Sequence, residues 1–225
     1  MGKSHGSPFT IREIYDKLYE FYGPQNWWPA DTAFEVMMGA ILTQNTAWEN
    51  VVKAMENLRP YLDPQTLGEM DPEKLKVLIR PSGFYNIKAK RIKHFLAWFG
   101  EKGYSIQALK AMDGNVLREE LLAIHGIGPE TADSILLYAL EKPFFVIDAY
   151  TKRLFHRLGF SLPKDYDEIQ RVFEANLERE VALYNEYHGL IVQHSKEVCR
   201  KKPLCTKCFL VSECPLGMSS GINGS

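Results

Sequence analysis

An all-α chain is predicted by three features of the sequence. Apolar residues recur at helical spacing, as at Ile11, Ile14, Tyr15 and Leu18 and again at Phe34, Met37, Met38, Ile41 and Leu42. No stretch sustains the two-residue alternation of a half-buried strand. Pro and Gly punctuate several junctions between the periodic segments. In order, helices are expected near residues 10–22, then 32–44 with Asp31 as its cap, then 47–59, 72–79, 87–101 and 115–124. A helix over 129–140 opens on Pro129, whose missing N–H costs nothing in a first turn, and one over 149–158 opens behind Asp148. Helices over 166–177 and 180–198 complete the series. Short helices with brief connections and no repeat period suit a compact bundle rather than a solenoid. Met1–Ser7 and Gly217–Ser225 read as unstructured ends.

The composition bounds the class. With 225 residues, 45% hydrophobic and 24% charged, the chain is neither disordered nor fibrous and suits one domain or two small ones. No apolar run approaches the ~20 residues that cross a bilayer, so a soluble protein with no membrane partner is expected. A net charge of −1 excludes little. Lys196, Arg200, Lys201, Lys202 and Lys207 crowd one segment, and Lys88, Lys90, Arg91 and Lys93 form a second cluster. Either could meet phosphate, and for the second a solvated helix face is an equal alternative.

All four cysteines lie near the C-terminus, at Cys199, Cys205, Cys208 and Cys214, spaced C-x5-C-x2-C-x5-C. A chain of this size can bury a core without disulfide staples, and nothing in it resembles a secretory signal, so a metal site with reduced thiols is favoured and the cytoplasm is the expected compartment. Four-cysteine zinc sites usually pair two short C-x2-C knuckles; here one knuckle sits between two longer arms. That asymmetry points to an iron–sulfur cluster, with zinc as the alternative.

The segment LLAIHGIGPETADSILLYAL, residues 121–140, carries the second signal. A helix ends near Ile124, a tight turn His125-Gly126-Ile127-Gly128 follows, and a new helix opens at Pro129. Glycines permit positive φ and close approach of a partner. Unpaired N–H groups at the new helix start, reinforced by the helix dipole, can receive one phosphate without reading any base. A plain turn between packed helices uses the same residues.

This hairpin, Asp148 twenty residues after its second glycine, and the later four-cysteine loop occur together and in order. They resemble the helix-hairpin-helix DNA glycosylase superfamily, and the cysteine loop resembles that of endonuclease III, with a first spacer of five residues where that family usually has six. NWWPADTAFEVMMGAILTQNTAWENV (26–51) and RPSGFYNIKAKRI (80–92) are similar to the third type of 3-methyladenine DNA glycosylase. The resemblance implies a hairpin-bearing helical domain over 31–142 and a discontinuous iron–sulfur domain over 8–30 and 143–216, with a DNA cleft between them. It implies a 4Fe-4S cluster on Cys199, Cys205, Cys208 and Cys214. The partner would be double-stranded DNA bearing a damaged base, met by a monomeric chain that is nucleoid-associated if the source is prokaryotic.

Site residues follow from the same resemblance. Where endonuclease III places an amine nucleophile two residues after the second glycine, this chain has Glu130. Glutamate cannot form a Schiff base, so the resemblance implies base release without efficient strand cleavage. A carboxylate in a first helical turn also suits the dipole, a structural role open to Glu130. Asp148 is expected to steady the positive charge that develops on the sugar and to orient or deprotonate water, although capping the following helix would explain it too. Trp27, Trp28 and Pro29, with Trp48, are expected to stack on a flipped base, and electron-rich indoles would favour a cationic alkylated purine such as 3-methyladenine; core packing is the bland alternative. Gln44 matches the residue that fills the gap left by the extruded nucleotide, or simply ends a helix. Gly126, Gly128, Glu130, Lys201 and Lys202 complete the expected DNA contacts. A glycosylase for uracil or thymine mismatches, and a non-catalytic DNA-binding or redox module, are the alternatives. The histidines, His5, His94, His125, His156, His188 and His194, show no convergent pattern, and none is assigned a catalytic role.

Overall fold

Thirteen α-helices and no strand are found among the residues that the computed structural model describes, which are 6–25, 27–28 and 30–219. The helices run α1 (Ile11–Tyr22), α2 (Ala33–Leu42), α3 (Trp48–Leu58), α4 (Pro64–Glu69), α5 (Pro72–Ile79), α6 (Tyr85–Glu101) and α7 (Ile106–Ala111). They continue as α8 (Gly114–Ala123), α9 (Pro129–Ser134), α10 (Ala149–Arg157), α11 (Tyr166–Glu174), α12 (Val181–Glu197) and α13 (Pro215–Ser219). The chain divides into two compact units, unit 1 formed by Met1–Trp28 with Pro143–Ser225 and unit 2 by Pro29–Lys142. No helix among the described residues is long and apolar enough to cross a membrane.

The expected helices are present, with differences that have local causes. The six-residue α4 and α7 and the five-residue α13 are too short to show a period, so no sequence pattern announces them. The expected helix 129–140 is α-helical only to Ser134 and continues as a π turn over Ile135–Ala139, where Leu140 N donates to Ile135 O at 3.2 Å. Thr32, not Asp31, caps α2, because its hydroxyl reaches the Glu35 amide while the Asp31 amide is taken by the Glu35 carboxylate. Thr10 and Glu13 form a reciprocal capping box at the start of α1. At the inner edges of the expected loose ends, Ser7 is buried, and Gly217 is buried within α13, where a Cβ would stand 2.6 Å from Val211 O. Residues 1–5 and 220–225 lie outside the described residues.

In unit 1, α12 packs against α1 and α10. Its face carries Tyr184 and Tyr187 into a core with Phe145, Phe155 and Phe173. Ring centroids there are 4.7 Å apart for Phe145 and Phe173 and 4.6 Å for Phe155 and Phe173. Such pairs contribute about 0.5–1.5 kcal/mol each beyond burial. The Tyr187 hydroxyl donates to Ile11 O at 2.6 Å, so the polar tip of that buried ring is satisfied by the first turn of α1.

In unit 2, α2 is apolar nearly all round and is buried against α3, α6 and the π turn after α9. Two lysines of α6 then close the ends of its neighbours. Lys88 is 1% exposed, and its ammonium donates to Leu42 O at 2.6 Å, to Ser82 O at 2.8 Å and to the Thr46 hydroxyl. Lys93 donates to the carbonyls of Leu67 and Gly68 at 2.9 and 2.8 Å and to that of Met70, at the end of α4. The suggestion that this cluster meets phosphate is therefore corrected for Lys88 and Lys93, whose donors are spent inside the chain. Arg91 is half-buried and gives Nη1 to Gln44 Oε1, and Lys90 is exposed.

Burial, with the nearby Arg91 charge, pushes the Lys88 amine down to about 8 from an ordinary 10.5. Between those two values the unfolded chain holds the more protons, so this group makes stability rise with pH through that window. We expect wild type to gain on the order of 1–3 kcal/mol relative to Lys88→Met between pH 7 and 10, since each tenfold loss of proton affinity on folding corresponds to about 1.4 kcal/mol. Urea unfolding of both proteins across that range checks it. Parallel stability curves would mean that the ammonium is not desolvated as described.

Candidate functional site

Asp63, Asp71, Asp113, Asp148 and Asp165 all cap helices, so capping alone distinguishes none of them. Asp148 differs in its surroundings. The other four make their cap bonds at exposed positions, whereas Asp148 is partly buried, with its side chain 13% exposed. Its Oδ1 accepts from Thr151 N at 2.7 Å and from the Thr151 hydroxyl at 2.9 Å. Its Oδ2 lies 3.4 Å from Nε2 of His188 on α12, a side chain that is 7% exposed. Burial opposes a charge here, yet His188 and the two Thr151 bonds outweigh it and hold the carboxyl below its ordinary value. The result is a carboxylate that is anionic at neutral pH, fixed in orientation and not fully covered. His188 is a candidate site residue that the sequence pattern did not single out. Its only signal was a histidine between Tyr187 and Gly189 on a buried helix face, where a polar ring requires a partner.

Helix α12 also seats the tryptophan segment. The Gln25 amide donates to the Glu186 carboxylate at 2.6 Å, and Trp27 lies so close to Gly189 that a Cβ there would stand 2.8 Å from the Trp27 Cβ. Trp27 and Trp28 are half-buried and meet edge to face with centroids 6.1 Å apart, and Lys196 Nζ sits 5.6 Å from the Trp27 ring centre. Thus one helix holds both Asp148 and Trp27 within unit 1. Pro29 lies outside the described residues. Trp48, the first residue of α3 in unit 2, is half-buried.

The hairpin of unit 2 forms as expected. Ile127 N donates to Ile124 O at 3.0 Å and Gly128 stands at the cap of α9. Arg118 of α8 grips Asp133 of α9 through two bonds, 2.7 and 3.1 Å long, and Asp133 is fully buried, which sets the two helices around the turn. The two glycines have different reasons. Gly126 has φ +95° and is pressed by Arg91, whose Cγ would be 2.3 Å from an added Cβ. At Gly128 an added Cβ would meet nothing within 4 Å, so the space in front of the new helix is left open by this chain. Glu130 is exposed in the first turn of α9, where its charge suits the dipole.

Gln44 is drawn into this hairpin. Its Nε2 donates to Gly126 O at 3.1 Å and to the Thr131 hydroxyl at 2.9 Å, while its Oε1 accepts from Arg91. Lys88 holds the flanking turn through Leu42 and Thr46. Ser82, the other anchor of Lys88, precedes Gly83 and Phe84. Phe84 is a second residue that the sequence pattern did not single out. It is 66% exposed with φ +47°, a conformation that costs a non-glycine residue roughly 1 kcal/mol or more, and an aromatic side chain so displayed marks a candidate contact.

The four cysteines are unpaired and line one void of about 330 Å3, part of it open to solvent, together with Arg157 and His194. Among the described residues no three of His, Cys, Asp and Glu are arranged to hold a single ion. Burial pushes the Cys208 thiol up to about 11 and raises Cys199 as well, the latter against the pull of Arg157, whose Nη1 is 3.3 Å from Cys199 Sγ. Thiolates in this setting call for a further cation, which a bound metal group would supply. Arg157 also donates to the carbonyls of Arg200 and Lys201 at 2.6 and 2.9 Å, and Arg153 to those of Cys199 and Ser195, so the loop is anchored to α10. This leaves Lys201 and Lys202 exposed.

Comparison with known proteins extends this picture. The family described as "HhH-GPD superfamily base excision DNA repair protein" matches residues 38–179. A Methanocaldococcus jannaschii protein carrying the provisional name of DNA repair glycosylase is 51% identical over 209 residues, spanning 91% of this chain and 95% of its own. Endonuclease III of Thermotoga maritima is 32% identical over 206 residues, 91% of this chain and 92% of its own. The crystal structure of a 3-methyladenine DNA glycosylase from H. pylori bound to 1,N6-ethenoadenine superposes with a TM-score of 0.72 at 35% identity, covering 82% of this chain and 96% of that one. Hairpin, partly buried aspartate and cysteine loop thus sit on a scaffold shared along nearly the whole length of these proteins, and the chain belongs to the HhH-GPD superfamily of base excision DNA repair proteins, as a DNA glycosylase.

Proposed function

We propose that the protein is a monofunctional glycosylase that flips an alkylated purine, 3-methyladenine in type, out of double-stranded DNA and hydrolyses its N-glycosidic bond to leave an abasic site. The observation that carries this reading is the Asp148 carboxylate, held anionic and immobile between Thr151 and His188. As the bond from C1′ to the base breaks, its electron pair leaves with the base and positive charge builds on the sugar; a fixed anion nearby lowers that barrier. Water then delivers its oxygen to C1′ and loses a proton towards the carboxylate or solvent. A purine alkylated at N3 or N7 is cationic and leaves neutral, so no separate acid is needed to protonate it.

Trp27 and Trp28 in unit 1 are the base-stacking residues of this reading, with Pro29 and the unit 2 residue Trp48 as further candidates, and indole faces favour a cationic ring over a neutral one. The 3-methyladenine DNA glycosylase relative supports an alkylpurine substrate. The open space before Gly128 and the start of α9 take a phosphate, with Lys201 and Lys202 adding charge from the cysteine loop. Gln44 and the exposed Phe84 fill the gap left by the flipped nucleotide; Gln44 then exchanges its bonds to Gly126, Thr131 and Arg91 for base edges. Glu130 stands where a lyase needs an amine, so strand cleavage is not efficient. The chain acts as a monomer.

The ring of four thiols around a void supports a 4Fe-4S cluster on Cys199, Cys205, Cys208 and Cys214 over a lone zinc ion. When bound, the cluster cross-links the loop that carries Lys201 and Lys202. Its role here is structural, and no step of the hydrolysis passes through it.

Four outcomes test these readings. In single-turnover assays over 3-methyladenine, 7-methylguanine, ethenoadenine, uracil and thymine mismatches, Asp148→Asn should lose about 10²-fold or more in excision rate while retaining DNA affinity; an Asp148→Asn protein that turns over normally sinks the catalytic reading. Wild-type product should need alkali to break, and borohydride should trap no adduct. Trp27→Ala should lose about tenfold on the cationic lesions and less on uracil, a difference on the scale of one cation–π contact. Aerobically purified protein should show visible thiolate-to-iron absorption that Cys208→Ser weakens; a colourless protein with one equivalent of zinc would favour the alternative metal.

A further inference from the structure

The two oxygens of Asp148 are not equivalent. Both donors of Thr151 fall on Oδ1, at 2.7 and 2.9 Å, so Oδ2 is left to face the His188 imidazole at 3.4 Å. These residues come from different helices, the cap of α10 and the second turn of α12, and their side chains are 13% and 7% exposed. We propose that His188 is a positioning residue for the excision reaction, facing Oδ2 from a second helix and setting its orientation towards the reacting sugar. The inference rests on the reading of Asp148 as the catalytic carboxylate.

Three features of the packing support it. A carboxylate with only Oδ1 anchored retains rotation about its last bond, and a partner for Oδ2 on a second helix removes it. The same α12 holds the tryptophan segment through Glu186 and Gly189, so moving His188 relative to Trp27 would require moving one rigid helix. The remaining charged groups nearby are engaged elsewhere. On α10, Arg153 binds the carbonyls of Cys199 and Ser195, and Lys152 lies 5.8 Å from the Tyr166 ring centre. On α12, Glu186 accepts from Gln25, and His194 pairs with Tyr22 of α1. On α1, Arg12 is spent on Asp16 and Glu178, and Tyr15 meets the edge of Tyr187. His188 is therefore the titratable side chain set against Oδ2. A carboxylate depressed by such a partner keeps its charge as pH falls and loses it only below its ordinary range; without the partner, burial is opposed by Thr151 alone and charge is lost at higher pH.

The test is the pH profile of single-turnover excision for wild type, His188→Gln, His188→Leu and Asp148→Asn, on whichever lesion of the panel wild type excises fastest. His188→Gln keeps a polar side chain of similar reach facing Oδ2 but no titratable ring. It should stay within about threefold of wild type near pH 8, fall at least about tenfold behind near pH 5 through an upward move of the acid limb, and leave DNA affinity unchanged. His188→Leu should lose about tenfold or more at every pH. A His188→Gln profile that overlays wild type overturns the inference while Asp148→Asn remains inactive; an active Asp148→Asn instead overturns the reading on which it rests. Should His188→Leu fail to fold, His188→Gln, which keeps a polar side chain of similar reach, decides the matter by its pH profile alone.

Discussion

A carboxylate kept charged while mostly removed from water is the constraint around which unit 1 is organised. Desolvation opposes it, and the opposition is met by the amide and hydroxyl of Thr151 and the imidazole of His188. The first two come at no cost in topology, since a helix cap supplies them from three residues downstream. The third requires α12 to lie along α10, and it does so by burying Tyr184, Tyr187 and Leu190 against the phenylalanine core. Packing energy spread over that core thus holds one charged contact in register, which is how a scaffold of ordinary hydrophobic burial comes to support a chemically demanding group.

Unit 2 solves a related problem with opposite charge. Its α6 projects Lys88 and Lys93 inward, where they close the carbonyl ends of α2 and α4, and Arg91 outward far enough to meet Gln44 and press on Gly126. The cations are costly to bury, but each ammonium has a full set of oxygen acceptors, and the lost hydration is replaced by fixed dipoles. The consequence is that the hairpin, the Gln44 turn and the Phe84 turn share one set of anchors. A partner that displaces the Gln44 amide would act on all three together.

Family membership leaves the chemistry to be read from particular residues. Relatives in this superfamily include proteins named endonuclease III as well as a 3-methyladenine DNA glycosylase, so the scaffold alone does not select between lyase and hydrolase. Position 130 does so in our reading, because the exposed glutamate there offers charge to the helix dipole but no nucleophilic nitrogen. The indole segment at 27–28, held on Gly189, speaks to the substrate in the same way, through the physics of a ring face rather than through ancestry.

Local chemistry was legible from residues close together in sequence. The period of α1 and α2, the glycine hairpin, the cap at Asp148 and the grouping of four thiols each depend on neighbours within a few residues, where backbone geometry restricts the options. What escaped reading depended on separation along the chain. Asp148 and His188 are forty residues apart, and Lys88 finds Leu42 forty-six residues away, so no local period records either pairing. For the same reason Lys88 and Lys93 looked like a basic face, since sequence shows the charge but not the acceptors. Composition and local pattern determined that this chain would be helical, would bear the hairpin and would gather its four cysteines in one loop. Only the tertiary structure decided which ionisable groups are buried and what faces them, because desolvation and Coulomb energy depend on distance in space and not on order along the chain.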